Sequence, residues 1–270
     1  MLKTRKDIEE WLVRMDITNY TIDSVLGVVN VDGDVDLSGK GLDQLPIQFG
    51  IVAGTFDCSY NRLTSLKGVP RYVEGSFRCS YNELTNLEGA PYYVGGTFDC
   101  ARNRLTTLRR APLCIGGNFY CYDNQLVSLE GAPMFVKGDF TCSSNKLTTL
   151  EGAPRYVGGH FYCTYNKLTS LQGAPKFVGG NFYCTENQLT SLEGAPLYVG
   201  GNFYCYSNTL TSLKGAPVYV GGDFNCEGNL LKSLKDAPKH VGGKFLYDQR
   251  LIETLEGAPS YAIESVLYPK

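Results

Sequence analysis

A chain of 270 residues, 43% of them hydrophobic, can bury a continuous core, and a net charge of −2 offers no pull towards nucleic acid or an anionic membrane. No apolar run approaches the length of a membrane span, and Met1–Glu10 (MLKTRKDIEE) lacks the apolar stretch and cleavage site of a secretion signal. These features point to a cytoplasmic protein.

Thr4 is placed to cap a helix whose apolar positions Ile8, Trp11, Leu12 and Met15 fall at i, i+3, i+4 and i+7. Residues 1–30 are expected to form a short helical cap over an open end of the core, with docking of a partner as the alternative role for the helix. Asp32, Asp34 and Asp36 resemble the opening of a calcium loop. Leu37 stands where that loop needs Gly and Asp43 where it needs Glu, so no metal is expected there.

From Cys58 the chain becomes periodic. Cys58, Cys79, Cys100, Cys121, Cys142, Cys163, Cys184, Cys205 and Cys226 stand 21 residues apart, each followed three positions later by Asn. A fixed period of this length means one supersecondary unit stacked on copies of itself. Within a unit, Phe182 and Cys184 alternate with Asn181, Tyr183 and Thr185, the period-two pattern of a half-buried strand. Leu189 and Leu192 return to the core, and Gly194-Ala195-Pro196 turns the chain into an extended back wall. The inward amide of each Asn is expected to satisfy backbone groups of its own and the adjacent coil. Val35-Asp36-Leu37 and Phe245-Leu246-Tyr247 extend the register, with Lys40 and Arg250 replacing the Asn, which makes about eleven rungs over residues 31–255. Terminal rungs have no outer neighbour to satisfy, which accounts for the loss of the Asn. Residues 256–270 are expected to close the C-terminal end, with Tyr261, Ile263, Val266 and Leu267 over the last rung.

Ten cysteines could suggest a secreted disulfide scaffold. Ladder cysteines on neighbouring parallel strands run side by side, where the disulfide dihedral is hard to reach, so free thiols and a reducing compartment are expected. Cys114 lies in a register where sister repeats carry an aromatic, and reads as a packing residue.

These residues resemble the leucine-rich repeat, L-x-x-L-x-L-x-x-N-x-L, with Phe and Cys in the two strand-leucine places and Asn and the following Leu matching outright. The short unit with Pro on its back is similar to the bacterial type, as in secreted effector ligases, although nothing here matches their catalytic domain. The wording L-T-S-L-E-G-A-P-x-Y-V-G-G-x-F-x-C resembles leucine-rich-repeat proteins of tailed bacteriophages over residues 31–262. The resemblance implies an α/β repeat solenoid: a leucine-rich-repeat horseshoe of 21-residue units with a parallel β-sheet on one face and a mostly irregular extended back. For a phage protein it implies a host partner, with inhibition of a host enzyme or antiviral defence component as the leading role and a virion part as the alternative.

The outward strand positions carry the variation. Tyr120, Tyr122, Tyr162, Tyr183, Tyr204 and Tyr206 form an aromatic patch spanning roughly 19 Å from Tyr120 to Tyr204 at ~4.8 Å per rung, with Tyr165, His160 and Glu186 at its margins. Tyr is enriched at interfaces because it offers large area and a polar tip at low ordering cost, so these nine residues are the candidate protein-binding site. The alternative is that neighbouring rings stack and stabilise the strands. A glycan or single-stranded nucleic acid would also use aromatics, but few basic residues flank them. His160 and His240 have no nucleophile at a useful spacing, and no phosphate loop or zinc knuckle occurs, so neither enzyme activity nor a cofactor is expected. Oligomeric state is left open.

Overall fold

The computed structural model describes residue 2, residues 4–254 and residues 256–262. Ile263, Val266 and Leu267 lie outside them. The chain divides into two compact units, Met1–Leu126 with Glu130–Lys137, and Val127–Leu129 with Gly138–Lys270.

The first unit opens with helix α1 (Arg5–Arg14), where the Thr4 side chain accepts from the Asp7 N–H at 3.1 Å. Its apolar stripe buries Ile8, Trp11 and Leu12, and the Trp11 ring meets Phe49 edge-on with centroids 6.4 Å apart. The helix thus rests on core side chains rather than standing free. An antiparallel pair follows, β1 (Tyr20–Ile22) with β2 (Val28–Val31). Asp23 accepts from Val25 and Leu26 in the turn between them, and this pair was not legible as alternation in so short a stretch.

Both units repeat one rung. Its Phe strand pairs in parallel with the same strand one rung away: Phe56 with Phe77 and Phe77 with Phe98 in the first unit, Phe161 with Phe182 and Phe182 with Phe203 in the second. Phe, Cys and the two Leu of each rung are buried, as at Phe182, Cys184, Leu189 and Leu192, because the pleat turns alternate residues inward. The Phe rings stack face to face, 5.2 Å apart and within 6° of parallel for Phe161–Phe182, adding roughly 0.5–1.5 kcal/mol per pair to their burial.

The back is less irregular than the repeat pattern suggests. A second row of parallel two-residue strands runs through Tyr72–Val73 and Tyr93–Val94 in the first unit, and through Tyr156–Val157, Phe177–Val178, Tyr198–Val199 and Tyr219–Val220 in the second. Its Val is buried, and its aromatic is stacked outside, Tyr198 and Tyr219 at 4.8 Å and 1°. Cys114 sits in this outer column and is exposed, so it does not serve as packing. The rest of each rung, from the ladder Cys through the Asn, Leu and Gly-Ala-Pro positions and again at the glycine pair, is coil and turn. Between the rows the glycine pairs permit a close approach: a Cβ on Gly200 would fall 2.2 Å from the Gly179 carbonyl oxygen.

The asparagine amides knit the rungs. Asn166 Nδ2 donates to the carbonyls of Cys142, Cys163 and Thr164 at 3.1, 3.1 and 3.2 Å, while Oδ1 accepts from Leu147 N–H at 3.1 Å. Each Asn therefore reaches the preceding rung. This accounts for Lys40, whose rung opens the Phe row. It does not account for Arg250, where a 3-10 turn, Gln249–Leu251, replaces the motif and Asp248 accepts from Gly228 N–H at 2.7 Å. Tyr261 covers Phe245 edge-on at 5.7 Å and donates to the Pro238 carbonyl.

Candidate functional site

The column preceding Phe, outward and variable in sequence, is structural. Its side chain at one rung accepts the backbone N–H of the same position one rung on. In the second unit Asp139 accepts from His160, His160 Nδ1 from Asn181, Asn181 from Asn202, Asn202 from Asp223 and Asp223 from Lys244, all at 2.7–2.8 Å. Asp, Asn, Ser, Thr and neutral His share one property, a short side chain with an acceptor. His160 is therefore held as a ladder member through Nδ1, with its proton on Nε2.

The two asparagines of this column in the second unit do a second job. Asn181 Nδ2 donates to Tyr183 Oη at 2.9 Å, and Asn202 Nδ2 to Tyr204 Oη at 2.7 Å. One amide thus ties the rung above through its oxygen and fixes a tyrosine through its nitrogen. Accepting that bond leaves each phenol its O–H to donate outward. Tyr162 and Tyr183 stack 4.5 Å apart at 6°, Tyr183 and Tyr204 lie 5.0 Å apart at 32°, and Tyr206 meets Tyr204 edge-on at 6.3 Å. Tyr162, Tyr183 and Tyr204 are half-buried by their neighbours rather than fully exposed, and burial raises the Tyr204 phenol above its ordinary range. The rings pack along the row, as the stacking alternative expects, and present their outer edges and hydroxyls.

The nine candidates divide between the units. Tyr120 and Tyr122 belong to the first, where they meet edge-on at 6.4 Å and Asn118 Nδ2 donates to Tyr120 Oη at 2.6 Å. His160, Tyr162, Tyr165, Tyr183, Glu186, Tyr204 and Tyr206 belong to the second. The clamp recurs wherever the sequence reads Asn-Phe-Tyr: Asn118, Asn181 and Asn202. That triplet is the signal the sequence carries, although strand alternation alone places its Asn on the surface.

A further group escaped the sequence reading. The residue two after Cys adopts a left-handed backbone in rung after rung, with φ of 54° at Tyr165 and 53° at Glu186, which lifts its side chain off the turn. In the first unit this column builds a continuous stack. Tyr60 and Tyr81 lie 4.2 Å apart, the Arg102 guanidinium carbon sits 4.8 Å over the Tyr81 ring, and Arg102 pairs with Asp123 at 3.6 Å. Beside it Arg78 pairs with Asp57 at 3.7 Å. Burial raises the Asp99 carboxyl, opposed by the Ala101 N–H, the Ser80 hydroxyl and Arg78. Ser59 and Ser80, in an outward strand column, are nevertheless buried at 4% and 5% exposure; the Ser59 hydroxyl is turned back onto Asp57.

Little chemistry is available elsewhere. Burial pushes the thiols of Cys58, Cys79, Cys100, Cys142, Cys163, Cys184, Cys205 and Cys226 far above the ordinary range, and Sγ of several faces the carbonyl of the next rung, as Cys163 does Tyr183 at 3.3 Å. Among the described residues no three His, Cys, Asp or Glu side chains converge as metal ligands, and no helix is long and apolar enough to cross a membrane. Asp34 and Asp36 are occupied as acceptors, from Thr55 N–H and from Ser38.

No family model and no curated protein matches the chain. Among solved structures, the functional domain of InlJ from Listeria monocytogenes, described as including a cysteine ladder, superimposes with a TM-score of 0.50 at 21% identity, over 84% of this chain and 55% of that one. YopM from Yersinia enterocolitica WA-314 gives 0.48 at 16% identity over 84% and 62%, and the leucine-rich repeat domain of APL1B gives 0.38 at 11% over 96% and 95%. The chain spans about three fifths of YopM and just over half of the InlJ domain. The likeness to InlJ, with the parallel rungs at 21-residue spacing, gives the fold: a leucine-rich-repeat solenoid.

Proposed function

We propose that this chain is a non-catalytic protein-binding module whose second unit engages a partner protein through the face built on Tyr162, Tyr183, Tyr204 and Tyr206, with Tyr165 and Glu186 beside them and His160 beneath. The observation that carries the reading is the clamp of Asn181 and Asn202 on the tyrosine hydroxyls. Rings fixed before binding lose little freedom on association, and a hydroxyl left to donate supplies specificity. Silent thiols and a histidine committed to the backbone leave no nucleophile for a reaction on this face. By the phage-like wording of the repeat, the partner is a host protein, and inhibition of a host enzyme or defence component is the role.

The test uses a partner captured from host lysate and then purified. Tyr183→Ala with Tyr204→Ala is expected to weaken binding by about 2 kcal/mol or more, while stability falls by about 1 kcal/mol. Thr148→Ala with Thr169→Ala, exposed positions outside these columns, serves as the control. Equal affinity of the two double variants at matched folded fraction would reduce the tyrosines to a stacking ladder. Recovery of the chain in purified particles would move the role from inhibitor to virion part.

A further inference from the structure

Resting on that protein-binding reading, we infer that the second unit's face takes an arginine-bearing segment of its partner, one guanidinium on Tyr165 beside Glu186 and another on Tyr206 beside Glu227. The first unit displays the arrangement completed from within: ring, guanidinium and carboxylate succeed one another in Tyr81, Arg102 and Asp123, at 4.8 and 3.6 Å. The same left-handed column of the second unit runs Ser144, Tyr165, Glu186, Ser207, and has the ring and the carboxylate without the cation. The adjacent column repeats the step, Tyr206 followed one rung on by Glu227.

Both rings stand in solvent, Tyr165 at 62% exposure and Tyr206 at 38%, and both carboxylates are exposed. Asn225 Nδ2 donates to Glu227 at 3.1 Å and holds it on the face. The charge is one-sided. Across the four columns from Asp139 to Gln249 the acids are Asp139, Glu186, Asp223, Glu227 and Asp248, against Lys244 alone, and no arginine stands among them. A guanidinium suits such a place better than an ammonium, because it stacks flat on a phenol while its fork of N–H donors reaches a carboxylate. Tyr165 and Tyr206 lie two rungs apart, about 10 Å at the spacing of parallel strands, which an extended segment spans in about three residues.

The probe is a synthetic peptide with two arginines three residues apart (Gly-Ser-Arg-Gly-Ser-Arg-Gly-Ser, both ends blocked), titrated into the full chain while the Tyr165 and Tyr206 ring signals are followed by NMR. A saturable shift of both rings is expected. Binding should weaken roughly tenfold when citrulline replaces arginine, and by a similar factor in the double variant Glu186→Gln with Glu227→Gln. Lysine in place of arginine should weaken it about threefold or more. Absence of a saturable shift, equal binding of the arginine and citrulline peptides, or indifference to the glutamine variant each overturns the inference. The same glutamine variant is then measured against the captured partner. Partner binding lost with Tyr183→Ala and Tyr204→Ala but kept with the glutamines defeats the arginine inference and leaves the protein-binding reading standing. Partner binding kept with both defeats the reading itself.

Discussion

The two units build the same rung and finish it differently. In the first, the acceptor column opens on the Asp34 carboxylate, 2.6 Å from Thr55 N–H, and runs on through the hydroxyls of Thr55, Ser76 and Thr97, at 3.1–3.4 Å from the N–H they face. In the second it runs through carboxylate, imidazole and amide at 2.7–2.8 Å. A hydroxyl is one atom shorter and keeps only its own O–H, on the atom already bound to the backbone, whereas an Asn amide that spends its oxygen on the backbone still has a separate nitrogen for the surface. The neighbouring column follows suit: Asp57, Arg78 and Asp99 in the first unit, Tyr162, Tyr183 and Tyr204 in the second. The Asp57, Arg78 and Asp99 rungs satisfy their charges internally, whereas the rungs with Asn in the acceptor column, Asn118 in the first unit and Asn181 and Asn202 in the second, present fixed rings. A single column of short polar residues, counted as surface by its variability, sets the difference.

If the scaffold is common to both units, removing its inner amide should cost the same in each. Asn82→Ala and Asn166→Ala are each expected to lower stability by about 1–3 kcal/mol, since three carbonyls and one N–H lose their partner. Urea unfolding with the slope checked for constancy measures it. A large inequality would break the equivalence of the units at its root.

The acceptor column sharpens the contrast at smaller scale. His160→Leu strands the Asn181 N–H and is expected to cost about 1 kcal/mol, with faster hydrogen exchange at that amide, whereas His160→Asn restores the acceptor and should be close to neutral. Thr97→Val, which removes a bond already 3.4 Å long to Asn118, should cost less than His160→Leu. The reverse order would mean that hydrogen-bond length along this column carries no energetic information.

The smallest expected effect concerns pH and belongs to the first unit alone. Because burial raises the Asp99 carboxyl, the folded chain holds that proton more firmly than the unfolded chain does. Ionised Asp99 therefore subtracts from stability above its folded pKa, and the penalty fades as pH falls from there to the ordinary carboxylate range. Asp99→Asn should stabilise the protein at neutral pH, with the gain vanishing on acidification. In the same column of the second unit the rungs carry Tyr183, Tyr204 and Asn225, so no such dependence should arise there. A gain that persists in acid would assign the effect to packing instead of charge.

Much of the fold was legible because the period multiplies each signal: one Cys or Asn in a strand says little, and nine at equal spacing say where each points. The Asn ladder and the buried Phe, Cys and Leu columns follow from that alone. What stayed hidden depends on contacts between equivalent positions of successive rungs, which a single rung's alternation does not encode. The Asp139-to-Lys244 column looked solvent-facing because its members are polar, and the Tyr198 column looked like coil because two-residue strands leave no periodicity to read. Tyr81 and Arg102 are ordinary surface residues in sequence and become a stack only when a left-handed turn aligns them. The tyrosines were found by composition, but their clamp required knowing that Asn181 lies beside Tyr183 on one edge of a strand.

The ladder of buried thiols gives the molecule an internal recorder. Every rung from Cys58 to Cys226 holds one sulfur that a reagent reaches only when that rung parts from its neighbour, and Cys114, always in solvent, supplies the reference rate. A brief pulse of alkylation followed by peptide mapping therefore prints the order in which rungs open, whether under denaturant, on heating or while a partner is bound. A solenoid built of near-identical turns usually conceals which turn yields first; here each turn signs its own opening in carbon–sulfur bonds.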